Sequence, residues 1–492
     1  MKNLDFFTPF FGPWRTRLSA ARRALPQVTN PRPILHQLEA LFGSLVARHW
    51  LSPTEEGDWS RQRQWSLRRT FWTFLGQVLT PRSACRAAVR QAQAQARLEN
   101  RTVPNDDTSA YCQARGRLPL EDLHAMIDQV GHTLAQRVPA AARWCGRRVK
   151  VADGTTFTAM DTPANQAAFA QPKTQKPGCG FPLVRMVALF SLASGALLGW
   201  ATGTYLQSEL SLAAALWALL DPGDVLLADR HWGCYRVLAL VLGRGADAVC
   251  RLHASRKADF RRGQKHGAWD RVVVWQRPRQ VPPGLSPLEW LALPATLTVR
   301  LVRFVVQEKG FRSRRVTLVT SLLDAERYPV SALAALYRRR WQVELSFRQI
   351  KTALGMNHLE VRSPRMIERA LAMHLLAYQL IRGLVQEAAL TWDVPLERIS
   401  FQGAVDAARH FGEALLRART KKQRTALLAE LLRILAADQV PERPGRVEPR
   451  AVKRRGKAYP RLSCPRHKFK EVPHRNRVYA ARAKARKIRV LK

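Results

Sequence analysis

Three carboxylates on separate segments carry the chemistry this sequence offers. Asp153 and Asp229 each follow a short apolar run, in VKVADGT and VLLADRH. Glu344 sits among five cationic side chains in YRRRWQVELSFRQIK, Tyr337 to Lys351. Acids of this kind supply the oxygen ligands that a hard divalent cation requires. Two Mg²⁺ ions bridged by such a set make water or a 3′-hydroxyl nucleophilic and stabilise a leaving oxygen, the chemistry of cutting a nucleic-acid strand. Each acid alone has a plainer reading. Glu344 could pair with Arg340 or Arg348 one turn away, worth roughly 0.3–0.5 kcal/mol. Either aspartate could close a strand-end turn or cap a helix. The three together favour one shared site.

The glutamate segment must be a helix to serve that site. Projected at roughly 100° per residue, Tyr337, Arg340, Glu344 and Lys351 share an arc of about 60° along about 21 Å of axis, with Arg348 close beside it. Leu336, Val343, Phe347, Ile350 and Leu354 form an adjoining apolar stripe. Such a helix docks through its apolar stripe and presents a carboxylate, a phenol and cations at the edge of the core, suited to gripping a DNA backbone. Arg338 and Arg339 point elsewhere. One helix is predicted from Ser331 to Leu354, with Ser331 as N-cap and Gly355 as terminator.

The aspartates call for strands. RRVKVADGT reads as a strand ending at Asp153, DVLLAD as one ending at Asp229, and DAVCRLH as a third. Met186–Leu206 carries no charge apart from its flanks, a length that could span a bilayer. Ser194-Gly195 divides it into two apolar runs, so a strand hairpin is predicted and no membrane span. SELSLAAALWALL and Tyr235–Leu242 read as helices. Strands interleaved with helices predict an α/β sheet.

Composition bounds the partners. The chain has 492 residues, 46% of them apolar, which suits a globular fold, and a net charge of +44. Charge of that sign and size points to a polyanion, nucleic acid foremost. Seven cysteines without a CxxC pair suit a reducing cytoplasm and argue against a disulfide framework or a zinc ribbon.

The spacing Tyr337-x2-Arg340-x3-Glu344-x6-Lys351 resembles the signature of DDE transposases of the insertion-sequence family numbered four. TSAYCQARGRLP (108–119) resembles that family's N-terminal signature, DGTTFTAMDTPANQAAF the segment after its first aspartate, and ADRHWGCY the segment around its second. HLLAYQLIR is similar to the stretch following its glutamate helix, and VEPRAVKRR to its C-terminal stretch. The likeness runs from about residue 100 to 455.

The resemblance implies a ribonuclease-H-like mixed α/β sheet flanked by helices, interrupted by a β-rich insertion, with helical N- and C-terminal regions. It implies cut-and-paste transposition in which Asp153, Asp229 and Glu344 hold two Mg²⁺ ions, with Mn²⁺ able to substitute. The element end is nicked, the freed 3′-hydroxyl forms and reopens a hairpin, and the same hydroxyl attacks target DNA. Tyr337, Arg340 and Lys351, with Arg348 beside them, would contact phosphates. The partners implied are double-stranded DNA, as terminal repeats and target, and a second copy of the chain in the end complex. The setting is cytoplasmic, at the bacterial nucleoid.

On this reading residues 1–145 are a helical, basic DNA-binding region that recognises the repeats. Residues 146–252 form the first part of the catalytic core, 253–320 the β-rich insertion, and 321–390 the second part with the glutamate helix. A helical C-terminal region (391–440) and a basic tail (441–492) follow; the last fifty residues hold 19 Lys/Arg and two acids. One departure stands out. Better-known members carry a base-stacking tryptophan shortly before the last strand preceding the glutamate helix, where this chain reads RSRRVTLVTSLLD. Trp269, Trp275 and Trp290 lie upstream, each a stacking group or a core residue. Two other classes share some of these features: another ribonuclease-H-like nuclease such as a junction resolvase, and a non-catalytic DNA-binding protein.

Overall fold

A computed structural model of the chain describes residues 37–442 except 44, 47, 54–55, 60–63, 99 and 307–314, together with 462 and 464–468. The first 36 residues of the basic N-terminal region and nearly all of the basic tail, VEPRAVKRR included, lie outside the described residues.

The strands are β1 (Val149–Ala159), β2 (Leu183–Ser191), β3 (Leu197–Thr204), β4 (Val225–Ala228), β5 (Asp247–Arg251), β6 (Gln264–Gly267), β7 (Asp270–Gln276), β8 (Thr296–Val305), β9 (Arg315–Thr320) and β10 (His358–Leu359). They form one mixed sheet in the order β3-β2-β1-β4-β5-β9-β8-β7-β6, with β10 paired parallel to the far end of β1. β2 runs antiparallel to β1 and β3, whereas β1, β4 and β5 are parallel. The order 3-2-1-4-5 with only β2 reversed is the ribonuclease-H-like arrangement. The strands of 264–320 extend the same sheet through an antiparallel contact between β5 and β9.

Helices cover both faces. Before the sheet come α1 (Gln37–Phe42), α2 (Leu67–Leu79), α3 (Cys85–Leu98), α4 (Ser109–Arg117) and α5 (Leu120–Gln136). Within it lie α6 (Pro163–Phe169), α7 (Glu209–Leu212), α8 (Tyr235–Leu242) and α9 (Pro287–Ala292). After it come α10 (Val330–Arg339), α11 (Trp341–Arg348), α12 (Pro364–Trp392), α13 (Phe401–Arg417) and α14 (Lys421–Ala437). The apolar faces of α1 to α5 share one core with α12 to α14 and one side of β1 and β2, while α7 and α8 pack on the opposite side. No helix among the described residues is long and apolar enough to cross a membrane. The uncharged Met186–Leu206 stretch lies in the β2–β3 hairpin, which turns at Gly195 with φ +67°.

Two expectations fail for physical reasons. β1 does not stop at Asp153, because Gly154–Thr158 keep pairing with β2 as far as Leu183. The glutamate segment is not one continuous helix. It starts at Val330 after Pro329, and Ser331 caps nothing. It tightens at Arg340, whose N–H donates to the Tyr337 carbonyl at 3.1 Å, and widens into a π-turn over Gln349–Ala353. Gly355, at φ +75°, ends it.

α12 explains why HLLAYQLIR mixes polar groups into a buried helix. A register shift between Leu189 and Phe190 leaves the β2–β3 turn short of ladder partners. Leu197 N–H donates to Gln379 Oε1 at 3.1 Å, and Gln379 Nε2 donates to Leu197 O at 2.7 Å and to Ile127 O at 3.2 Å. The Tyr378 hydroxyl donates to Gly195 O at 2.6 Å. These bonds lock α5, α12 and the hairpin together behind β1. Orphaning a buried polar group costs about 1–3 kcal/mol, so Gln379→Leu should lower stability by roughly 2–4 kcal/mol. Urea unfolding midpoints measure this, and an unchanged midpoint would contradict the assigned bonds.

Candidate active site

Register brings the two aspartates together. β1 and β4 pair from Val149↔Val225 to Val151↔Leu227. Continued two residues, that alignment sets Asp153 beside Asp229, where β4 has ended at Ala228 and the strands part. Asp153 stays extended because β2 holds its other edge, opposite Ala188. Asp229 turns away from the strand, its Oδ1 accepting the His231 backbone N–H at 2.8 Å.

α11 closes the site from one side of the sheet. Val343, Phe347 and Ile350 are buried, and Phe347 meets Phe190 of β2 edge-on at 5.5 Å. That docking turns Arg340 and Glu344 toward β1. Arg340 Nη1 donates to Asp153 Oδ2 at 3.2 Å and Nη2 to Glu344 Oε1 at 2.7 Å. One guanidinium therefore bridges the strand acid and the helix acid.

Lys351 lies further along the same strand, donating from Nζ to Thr156 O at 2.8 Å and Thr155 Oγ1 at 3.3 Å. Burial pulls its amine below the ordinary lysine value. Tyr337 is half-buried near Arg340, Arg251 and Asp229; burial first, then Asp229, push its phenol upward. Arg348 is exposed and joins none of these contacts. The structure thus gathers Asp153, Asp229, Glu344, Tyr337, Arg340 and Lys351 around one sheet end and leaves Arg348 at the rim.

A fourth acid joins them. Glu209 opens α7, whose N-cap Ser208 accepts the Ser211 N–H at 3.1 Å. Its carboxylate lies so close over Gly154 that a Cβ there would collide with it. Sequence reasoning passed over Glu209, although the glycine directly after Asp153 marks a strand position where another group comes close. Of the three upstream tryptophans, Trp275 and Trp290 are buried, while Trp269 is exposed, edge-on to Phe260 and beneath the Arg303 guanidinium.

Four carboxylates converge on this sheet end, and one of them is perturbed. Burial pushes the Asp153 carboxyl up to about 6, with Asp229 and Glu209 adding to the shift, against the Gly154 N–H and Arg340. An all-oxygen donor set fits a hard divalent cation in kind. With Arg340 seated between Asp153 and Glu344, no three His, Cys, Asp or Glu side chains among the described residues are arranged to hold a metal ion.

The sign of the pH effect follows. A carboxyl raised on folding keeps its proton more tightly in the folded chain, so its contribution to stability falls as pH rises from its ordinary value to about 6. Asp153→Asn removes that penalty. In chelator, the variant should gain on the parent by up to about 3 kcal/mol between pH about 4 and pH about 7. Urea unfolding at the two pH values tests it; a difference independent of pH would refute the origin assigned.

A family model described as a transposase DDE domain matches residues 144–380, which contain all four acids. The transposase InsG for insertion sequence element IS4 of Escherichia coli (strain K12) is 28% identical over 359 residues, 72% of this chain and 78% of that protein. The putative transposase InsZ of the same strain is 28% identical over 123 residues, 25% of this chain and 41% of that protein. A piggyBac transposase synaptic complex with hairpin DNA superposes with a TM-score of 0.39 and 11% identity, covering 84% of this chain and 87% of that one. Residues 144–380 thus match a transposase DDE domain, and 72% of the chain is similar to a transposase of insertion sequence element IS4.

Proposed function

We propose that this chain binds the ends of an insertion sequence, cleaves both strands there and joins the 3′ ends to target DNA. The observation that carries the reading is the meeting of Asp153, Asp229 and Glu344 from two strands and a helix, with Arg340 spanning two of them. Asp153, Asp229 and Glu344 would hold divalent cations, Mg²⁺ or Mn²⁺. These would supply activation of the attacking oxygen and charge stabilisation at the leaving one.

The chain's own groups do the positioning. Asp153 is fixed on a strand paired on both sides of the site, so its carboxylate keeps its place while a phosphate is exchanged. Arg340, released from the two carboxylates, reaches a phosphate oxygen, and its planar fork suits that group better than a lysine would. Lys351 leaves two neutral oxygens, Thr155 Oγ1 and Thr156 O, for an anionic one. Tyr337 contributes a hydroxyl between Arg340 and Asp229. Arg348, at the rim, meets the backbone further from the cut. In-line phosphoryl transfer gains most of its acceleration from such placement and charge compensation.

The order of events would be nicking, attack of the freed 3′-hydroxyl on the opposite strand to form a hairpin, reopening, and attack on target DNA. Trp269, with its exposed indole, is the candidate to stack on a displaced base. Helices α1 to α5 and the basic termini would hold the repeats through phosphate contacts that weaken steeply with salt. Chemistry at two ends calls for two copies of the chain on the paired DNA, in the cytoplasm at the nucleoid.

Inverted repeats bounded by short direct duplications in the DNA flanking the gene would supply the substrate. With that DNA and Mg²⁺, Asp153→Asn, Asp229→Asn and Glu344→Gln should each bind as the parent does and lose cleavage by about 10²-fold or more. Parent-like cleavage by any of them would overturn that residue's place in the mechanism. Cleavage of branched junctions without end joining would favour a resolvase.

A further inference from the structure

The helices that precede the sheet bury a cation that has no carboxylate partner among the described residues. Arg115, on α4, is 8% exposed, and its guanidinium lies over Phe74 and Tyr111 at 4.9 and 5.0 Å from the ring centroids. Its hydrogen bonds among the described residues go to Gln77 Oε1 at 3.2 Å and to two sulfurs, Cys85 Sγ at 3.2 Å and Cys112 Sγ at 3.7 Å. A buried cation that lacks a counter-charge is strongly unfavourable. Among the described residues in contact with Arg115, the groups that ionise to an anion at accessible pH are the two thiols.

Everything around Cys85 favours its ionised form. It is the first residue of α3, a 14-residue helix whose N-terminal N–H groups attract negative charge. Gln77 Nε2 stands 3.8 Å from its sulfur. The amide cannot flip, because Gln77 Oε1 accepts from the Tyr111 hydroxyl at 2.9 Å and Nε2 donates to Ser83 O at 2.9 Å. The Cys112 sulfur lies 3.7 Å from the same Arg115 nitrogen that donates to the Cys85 sulfur. The neighbouring Cys112 thiol above all, then Arg115 and Gln77, carries the Cys85 thiol down to about 5 against the effect of burial, and the Cys85 sulfur in turn holds Cys112 protonated. Both side chains are partly exposed, within reach of a small molecule.

We propose that Cys85 and Cys112 form a peroxide-reactive dithiol, with Cys85 as the attacking sulfur and Cys112 as the resolving one. The Cys85 thiolate attacks one oxygen of a hydroperoxide and the O–O bond breaks. The other oxygen leaves as the alcohol, or as water from hydrogen peroxide, after taking a proton from solvent. Cys85 becomes a sulfenic acid. The Cys112 sulfur then attacks the Cys85 sulfur, the S–O bond breaks, and the hydroxide leaves as water with the Cys112 proton. Two thiols have lost two electrons to one hydroperoxide, and a disulfide links the first turn of α3 to α4. Arg115 loses its counter-charge in the same event, so oxidation would loosen the helical layer it packs in.

The test uses the full-length reduced protein, hydrogen peroxide, thiol blocking and peptide mass spectrometry. Limiting peroxide should consume two of the seven thiols and yield a Cys85–Cys112 linked peptide. Cys112→Ser should accumulate a sulfenic acid on Cys85 that a cyclic 1,3-diketone captures, and Cys85→Ser should give neither product. Iodoacetamide should modify Cys85 with a half-maximal rate near pH 5, and at pH about 6 at least tenfold faster than the exposed Cys145. A Cys85 profile centred near the ordinary thiol value of about 8.5, or peroxide oxidation that falls first on another cysteine, would overturn the proposal.

Discussion

Like-charge repulsion where β1 and β4 part is the constraint the rest of the fold answers. Two unit charges 4 Å apart at a protein surface repel by about 4 kcal/mol. Register places Asp153 and Asp229 side by side, and Glu209 is brought over Gly154 as a third negative group. A flexible loop would relieve that strain by moving apart. A strand hydrogen-bonded to β2 through Thr158 cannot. The remaining outlets are a proton, a cation from the chain, or a cation from outside. In this structure Arg340 takes the second part, and the Asp153 carboxyl, raised first by burial with Asp229 and Glu209 adding to it, takes up the first.

Holding that arrangement requires rigidity behind it and adjustment in front. Behind, α12 ties its Tyr378 and Gln379 to the β2–β3 turn, so the strand next to β1 is fixed at its far end. In front, the glutamate segment departs from a regular helix twice. The tight turn at Arg340 and the π-turn over Gln349–Ala353 change the helical twist in opposite senses. Together they let Glu344 face Arg340 and Lys351 land on Thr155 and Thr156 of the strand that carries Asp153. A wide turn of this kind often marks a functional position in a helix.

What could be read from the chain beforehand was local. The two apolar runs of MVALFSLASGALLGWATGTYL and its central Ser-Gly told of a hairpin, and the apolar stripe of Leu336, Val343, Phe347 and Ile350 told which face of the glutamate segment docks. The ends of elements were less legible. Asp153 looked like the last residue of its strand because the apolar run stops there, yet pairing with β2 carries the strand to Ala159. The opening beside it comes from β4 being short, a fact belonging to a different segment. Glu209 was missed for a related reason: in SELSLAAAL it reads as an ordinary first-turn acid, and only the fold lays it over Gly154. Long-range parallel pairing leaves no periodic mark in either strand.

The charge reading also changes once the arginines are located. With 81 Lys/Arg and 37 Asp/Glu, most cations in this chain cannot find a carboxylate, and several turn to carbonyl oxygens instead. Arg369 donates to Leu118 O, Arg236 to Pro283 O, and Arg277 to Leu291 O, each at 2.8 Å. These side chains contribute to the net charge of +44 while bonding inside the fold, so composition alone overstates how many cations are free to contact a phosphate. Scarcity of acids gives weight to where they gather. A chain that leaves Arg115 to a thiol and Arg369 to a backbone carbonyl nevertheless brings Asp153, Asp229, Glu209 and Glu344 to one sheet end. Ion pairing for stability would have spread those four among the arginines. Their concentration against their own repulsion marks that sheet end as a functional site rather than a device for stability.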